Sequence, residues 1–165
     1  MMPPEDVVEL VLDDHRTMED LLRLMRSVEA DRKKALHDFT DLLIAHGEAE
    51  HSVLLSALSP HADTGAFVRI EAEHAEAVKV LLALIEVREI GSAEWEWRLQ
   101  HMATATHRHC DETERNLLNL ACTRFSCARR AELAEDFAKA RCRMLRAGCG
   151  SVDAVRRLLQ AGVPA

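Results

Sequence analysis

Imidazole and carboxylate side chains recur at helical spacing in this sequence, and that combination can bind a metal ion. The chain has 165 residues and 9 histidines, more than a helical domain of this size needs for its structure. His46 and Glu50 are four residues apart, and Glu71 and His74 are three apart, so each pair would project from one helix face. Mixed imidazole and carboxylate ligation suits redox-active metals such as iron and manganese. Zinc is disfavoured, because structural zinc sites favour thiolate.

Four long segments each place a histidine in the middle of an apolar seam. The seams follow alternating steps of three and four residues, which predicts helices near residues 4–30, 32–58, 66–90 and 92–121. The seam histidines are His15, His46, His74 and His109. Burying an imidazole without a partner costs several kcal/mol, so four in register favour a bound metal over four separate core histidines.

Long helices joined by short links pack as antiparallel neighbours. We therefore predict an all-α protein with an up-down four-helix bundle over residues 1–122. Residues 123–165 are predicted to form a short, basic helical C-terminal extension, with helices near 129–147 and 152–161, packed on or beside the bundle. Gly91 is expected to end the third helix. The 4 Phe, 2 Trp and absence of Tyr do not suit a β-sheet protein.

Charge and targeting signals restrict the partners. The net charge of −7 argues against a duplex nucleic-acid partner. Residues 124–165 carry 9 Lys and Arg against 4 Asp and Glu, so we expect this basic tail to dock on the acidic bundle, with a protein partner of the tail as the alternative.

The chain shows no leader and no apolar run near the roughly 18 residues of a membrane span, so we expect a cytoplasmic protein without a membrane partner. The five cysteines are interpreted as small buried residues, with redox sensing or a Cys110 metal ligand as alternatives.

The sequence resembles the hemerythrin-like (HHE cation-binding) family over residues 6–121. Four segments carry the resemblance: Leu12-Asp13-Asp14-His15, then His46-Gly47-Glu48-Ala49-Glu50-His51, then Ala72-Glu73-His74, and finally His109 through Glu114-Arg115. The resemblance implies a non-haem di-iron site inside the bundle, with two iron ions joined by carboxylate or oxo bridges. It implies His15, His46, His74 and His109 as histidine ligands and Glu50 as a bridging carboxylate.

The other ligands are less well defined by the resemblance. Glu71 precedes His74 by three residues, where relatives carry a second histidine, and is expected to serve as a ligand. Glu114 is the expected second bridge on the fourth helix, with His107 or Asp111 as alternatives. These departures predict that one of the two iron positions binds weakly. Four histidines lie off the seams and are not expected as metal ligands: His37, His51, His61 and His101. His51 or Cys110 is the alternative for a proton donor.

Three functions stay open at this point. The first is a protein that binds or senses O2, NO or iron in the cytosol. The second is a stress-defence enzyme that disproportionates hydrogen peroxide or reduces NO. The third is a structural bundle without metal. The absence of Tyr excludes a tyrosyl-radical enzyme. Metal content separates the third function from the others, and oxygen evolution from peroxide separates the first two.

Overall fold

The computed structural model describes residues 5–162, and all regular structure in that range is helical. The α-helices are α1 (Val7–Arg26), α2 (Arg32–Ala49), α3 (Ser56–Leu58), α4 (Thr64–Ile85), α5 (Ala93–Glu112), α6 (Asn119–Arg124), α7 (Cys127–Arg146) and α8 (Val152–Gln160). Two π-helical segments, π1 (Glu50–Leu55) and π2 (Thr113–Leu118), join α2 to α3 and α5 to α6, and a 3-10 turn (Ser59–His61) follows α3. The all-α bundle predicted from the seams is confirmed.

Side-chain caps determine where the long helices begin. The Asp6 carboxylate accepts a hydrogen bond from the Val8 N–H at 2.9 Å, and the Ser92 hydroxyl accepts one from the Trp95 N–H at 3.1 Å. The same kind of cap begins the other long helices, at Asp31, Asp63, Ser126 and Ser151. Each cap satisfies an N–H group that the helix itself cannot pair.

Two predicted helix ends are wrong, and local hydrogen bonds explain both. The first helix stops short of residue 30 because Ser27 is extended, with φ −87° and ψ 120°. The third helix ends at Ile85, not near residue 90, because the Val87 N–H bonds to the Leu84 carbonyl at 3.2 Å and tightens the last turn. Gly91 has φ 89° and lies in the following loop. The predicted start at residue 4 lies outside the described residues.

The core consists of two apolar clusters with a polar layer between them. One cluster fills the half of the bundle formed by the end of α1 and the start of α2, with Met18, Leu43 and Trp95 among its buried members. The other fills the opposite half, with Val11 and Leu117 among its members. Seven of the eight buried polar residues in the described range lie between the two clusters: Asp14, His15, His46, Glu50, Thr106, His109 and Thr113. The eighth, Thr40, donates to the Leu36 carbonyl within α2.

The C-terminal helices pack against the bundle. Helix α7 lies on α1 and α2 and buries the Phe137 ring completely, and α8 lies on α4. Three ion pairs join basic residues of these helices to acidic residues of the bundle: Arg130–Asp6, Arg141–Asp14 and Arg156–Glu86. Part of the positive charge of the tail is therefore neutralised within the chain.

The cysteine interpretation is wrong for three of the five thiols. Cys122, Cys127 and Cys142 are exposed, Cys110 is half-buried, and only Cys149 is buried. Burial raises the pKa of the Cys149 thiol to about 11 and that of Cys110 still further, so both thiols are protonated at neutral pH.

Among the helices of residues 5–162, none has an apolar stretch long enough to cross a bilayer.

Candidate metal centre

Three donor side chains converge in the polar layer. One ring nitrogen each from His15 and His46 and one carboxylate oxygen of Glu50 lie within 4.8 Å of one another. Glu50 is 2% exposed and His46 is fully buried. His15 projects from α1, His46 from the last turn of α2, and Glu50 from the first position of π1. These three residues, which we call the donor cluster, surround a space that a metal ion could share.

The two oxygens of Glu50 face histidines from different helices. Oε2 lies 3.3 Å from His46 Nε2, and Oε1 lies 3.7 Å from His109 Nε2. The Thr113 hydroxyl donates to the same carboxylate, at 3.2 Å from Oε2, and limits its rotation. If a metal were bound here, Glu50 would hold it together with the histidines on either side of the carboxylate.

Buried histidine nitrogens without partners are concentrated at this place. His15 Nε2, His46 Nε2, His74 Nδ1 and both ring nitrogens of His109 are buried and have no hydrogen-bond partner within residues 5–162. Buried polar atoms are nearly always paired, so five unpaired ring nitrogens in one layer need an explanation. A lone pair directed at a metal ion would account for one nitrogen of each ring, while the other nitrogen of His109 carries the proton of the neutral imidazole. The donor set therefore fits a metal.

The outer nitrogens of two of these histidines are held by carboxylates. His15 Nδ1 donates to Glu114 Oε1 at 2.7 Å, and His46 Nδ1 donates to Asp14 Oδ2 at 3.0 Å. A proton on Nδ1 leaves the Nε2 lone pair of each ring free for a metal. Glu114, expected from the sequence as a bridge, is thus placed on the outer side of His15 with its side chain 43% exposed.

His74 stands apart from the donor cluster but faces the same layer. Its ring centroid lies 5.6 Å from that of His109. It packs against Gly47 so closely that a Cβ built on that glycine would overlap the ring. Glu71 does not join the donor cluster, because its carboxylate is directed to His51, with Oε1 3.6 Å from His51 Nδ1. His51 lines a small cavity together with Glu50, Glu71 and His74.

Sequence reasoning did not place His51 among the metal ligands, although it directly follows Glu50. The reason is the backbone of π1, which begins at Glu50 and changes the helical register on which the seams were drawn. The second π segment begins at Thr113, one residue before Glu114. Wide turns of this kind occur frequently at functional sites. Adjacent acidic and imidazole residues, such as Glu50 and His51, are the sequence signal that could have indicated a π segment at a functional site.

The other candidate residues lie outside the layer. His107 and Asp111, the alternatives to Glu114, are exposed and line a groove between α1 and α5. The structure places the remaining unassigned histidines at the surface: His37, His61 and His101.

Burial keeps three of the histidines uncharged. It lowers the pKa of His109 to about 3 and that of His74 to about 4, and it lowers the pKa of His15 as well. Neutral imidazole is the form that binds a metal. These three side chains are therefore in the protonation state that can bind a metal at neutral pH.

His46 and Glu50 form a charged pair when no metal is bound. Burial opposes both charges, but the nearby carboxylates of Asp14 and Glu50 outweigh it and raise the pKa of His46 to about 9. The surrounding histidines, His109 foremost, hold the pKa of Glu50 at about 2. Glu50 is therefore a carboxylate, and a metal ion would replace the His46 proton.

Comparison with known proteins gives a family match. The model of the hemerythrin HHE cation-binding domain matches residues 6–121. Searches of curated proteins and of solved structures return no significant match. The matched range contains every candidate ligand and ends within α6, so α7 and α8 lie outside it.

We predict that His109→Leu stabilises the metal-free protein while it weakens metal binding. Leucine removes two buried unpaired nitrogens, which should raise the free energy of unfolding by about 1–3 kcal/mol at pH 7. Because the pKa of His109 is about 3 in the folded protein and near 6.5 when unfolded, the wild type should also lose stability as the pH falls below 6.5, and the variant less so. Urea denaturation at several pH values, with surface His101→Leu as control, measures both effects. A destabilised His109→Leu protein would show that this ring is a hydrogen-bonded structural element.

We predict that Gly47→Ala destabilises the protein, although alanine normally stabilises a helix interior by roughly 0.5–1 kcal/mol relative to glycine. The added Cβ overlaps the His74 ring, so the histidine must move, at a cost of about 1–3 kcal/mol. Gly65→Ala is the control, because its Cβ would make ordinary contacts, the nearest atom being 3.6 Å away. The free energy of unfolding, measured by urea denaturation, and the metal content should both fall for Gly47→Ala and stay unchanged for Gly65→Ala. Equal behaviour of the two variants would contradict the placement of His74.

Proposed function

The chain belongs to the hemerythrin HHE cation-binding family, and we propose that it is a cytosolic di-iron protein that binds or senses a small molecule such as O2 or NO. One observation carries this proposal above the others. Buried histidines with unpaired nitrogens, three of them uncharged, surround a buried carboxylate that is ionised.

The orientation of Glu50 supports two positions for iron. Oε2 lies next to His46, which together with His15 and Glu50 forms the donor cluster. On the Oε1 side lies His109, with His74 beyond it. The first position has three donors already gathered, whereas the second needs His74 to approach. We therefore propose that the first position binds iron more tightly than the second.

The ligand types favour iron over zinc. Cys110 is not part of the donor cluster and keeps its proton, since burial raises the pKa of its thiol. Iron held by imidazole and carboxylate would supply one-electron redox changes and an open coordination position for a small ligand.

The route to the centre supports a small ligand. A groove of about 610 Å³ runs between α1 and α5 and reaches His15 and Glu114 at its inner end. Its other lining residues include Leu12, Arg16, Glu19, Thr106, His107, Cys110 and Asp111. His15 is only 6% exposed, so a diatomic molecule or peroxide fits this access better than a larger substrate.

Glu114 favours peroxide disproportionation as a second candidate function. Its carboxylate is half-exposed in the groove and accepts a hydrogen bond from His15 at 2.7 Å. A carboxyl group in that position can exchange protons between solvent and the inner end of the groove. The reaction converts two H2O2 into two H2O and one O2, so one peroxide is oxidised and the other is reduced. Reduction of NO would draw on the same proton route.

Within residues 5–162 all five cysteines are free, which supports a reducing compartment such as the cytosol.

A protein partner of the basic tail stays a prediction. The surface that would receive it is a groove between π1 and α7, whose basic residues are Arg129, Lys139, Arg143 and Arg146.

We expect two iron ions per chain after expression with excess iron, measured by mass spectrometry of the purified protein. Glu50→Gln should reduce the content below one, because the shared carboxylate loses its charge. His74→Ala should leave about one iron, and His101→Ala, a surface change, should leave two. Less than one iron in the wild type would overturn the metal-binding proposal.

Oxygen evolution after peroxide addition separates the two candidate functions. If the protein binds or senses its ligand, the iron-loaded protein should release O2 no faster than the same amount of free iron. Multiple turnovers would establish the enzyme. In that case Glu114→Gln should slow the reaction by roughly 10²–10⁴-fold if its carboxyl moves the protons.

A further inference from the structure

Helix α7 contacts His46 and Asp14, although it lies outside the range that matches the family. We propose that Arg141 on this helix is a positioning residue for the centre, acting through Asp14 on His46. The inference rests on the proposed metal binding. It makes the C-terminal extension a functional part of the site.

The contacts form a continuous chain from the surface to the donor cluster. The Arg141 guanidinium donates to Asp14 Oδ1, and Asp14 Oδ2 accepts from His46 Nδ1 at 3.0 Å. Asp14 is 5% exposed and His46 is fully buried. Each oxygen of the carboxylate thus has its own donor, so the carboxylate cannot turn away from the histidine without losing one of them.

Burial makes the arginine necessary. An ionised carboxylate inside a protein is costly unless a charge and hydrogen bonds compensate for it. Arg141 supplies the positive charge, and its side chain is 24% exposed whereas that of Asp14 is 7% exposed. Without Arg141, the Asp14 carboxylate could turn away from His46, and water could take its place as the acceptor of the His46 Nδ1–H. The orientation of the Nε2 lone pair would then no longer be fixed.

A second side chain of α7 supports the same histidine. The Phe137 ring lies edge-on to the His46 ring, with centroids 5.8 Å apart. The Arg141 guanidinium in turn lies 5.8 Å from the centroid of the Phe137 ring. Residues four apart share one helix face, so α7 presents an aromatic wall and a charge to His46 from one face.

Another ion pair on α7 provides a matched control. Arg130 donates to Asp6 at 2.8 Å, and it also joins α7 to α1, with side chains 17% and 30% exposed. Asp6 caps the start of α1, and its side-chain hydrogen-bond partners in the described residues, Val8 and Arg130, are not candidate ligands. Loss of Arg130 therefore tests what an inter-helix ion pair contributes to attaching α7. Loss of Arg141 tests that contribution together with any effect on His46.

The experiment is an anaerobic titration of the full-length metal-free protein with Co²⁺, followed by the visible d–d absorption. Arg141→Ala should lower the Co²⁺ affinity by about 10–100-fold, the usual effect of removing a partner behind a histidine ligand, and should change the d–d bands. Arg130→Ala should bind within twofold of the wild type with an unchanged spectrum. Urea denaturation of both variants records what each ion pair contributes to stability.

Two further variants keep the test valid if Arg141→Ala folds poorly. Arg141→Lys keeps the charge but loses the forked donor, so its affinity should fall between those of Arg141→Ala and the wild type. In an Asp14→Asn background, Arg141→Ala should cause no additional loss, because the intermediate partner is already changed.

Wild-type affinity and spectrum in both Arg141→Ala and Arg141→Lys would overturn the inference, as would equal losses in Arg141→Ala and Arg130→Ala. No Co²⁺ binding by the wild type would instead overturn the proposed function itself. The two failures are therefore distinguishable.

Discussion

Unpaired imidazole nitrogens inside a closed helical bundle are the constraint on which this structure depends. A metal-free bundle has no use for them, because each buried nitrogen without a partner destabilises the fold. Domains are stable by only about 5–15 kcal/mol, so a layer of such residues consumes a substantial share of that stability. The two apolar clusters on either side offset this cost. The polar layer is thus maintained by the packing around it, and it is available for an ion.

The surroundings of the layer hold each donor in a defined orientation. Glu114 and Asp14 fix the outer nitrogens of two histidines, and Thr113 holds the Glu50 carboxylate. Gly47 leaves the space that the His74 ring occupies. These contacts are made by α1, α2, α4 and both π segments, so the centre depends on the correct packing of the whole bundle. Helix α7 adds a further support from outside the family domain.

Helical periodicity made much of this predictable. Because a histidine in an apolar seam must face inward, the pattern alone brought His15, His46 and His109 into one layer, and the spacing of Glu50 from His46 added the carboxylate. The outer role of Glu114 was not predictable in the same way, because π2 changes the register at that point. The contact of Arg141 with Asp14 joins residues far apart in the sequence, and no local pattern encodes it.

The spacing of apolar residues predicted neither the helix ends nor the exposure of the thiols, for different reasons. The early end of α4 depends on a short-range hydrogen bond of Val87, which the spacing of apolar residues does not encode. Cys122 and Cys127 flank the turn between α6 and α7 and are exposed. Their exposure depends on how α7 packs, which the seams do not encode. Seams report which face is buried, and they do not report where a helix stops.

The central claim is that the polar layer exists to bind iron between Glu50 and the four seam histidines. Diffraction from crystals of the iron-loaded protein, recorded on both sides of the iron absorption edge, tests it most directly. The account predicts anomalous density bonded to His15, His46 and Glu50, with a second, weaker peak beside His109. Iron density confined to the surface histidines, with the layer free of it, would contradict the account.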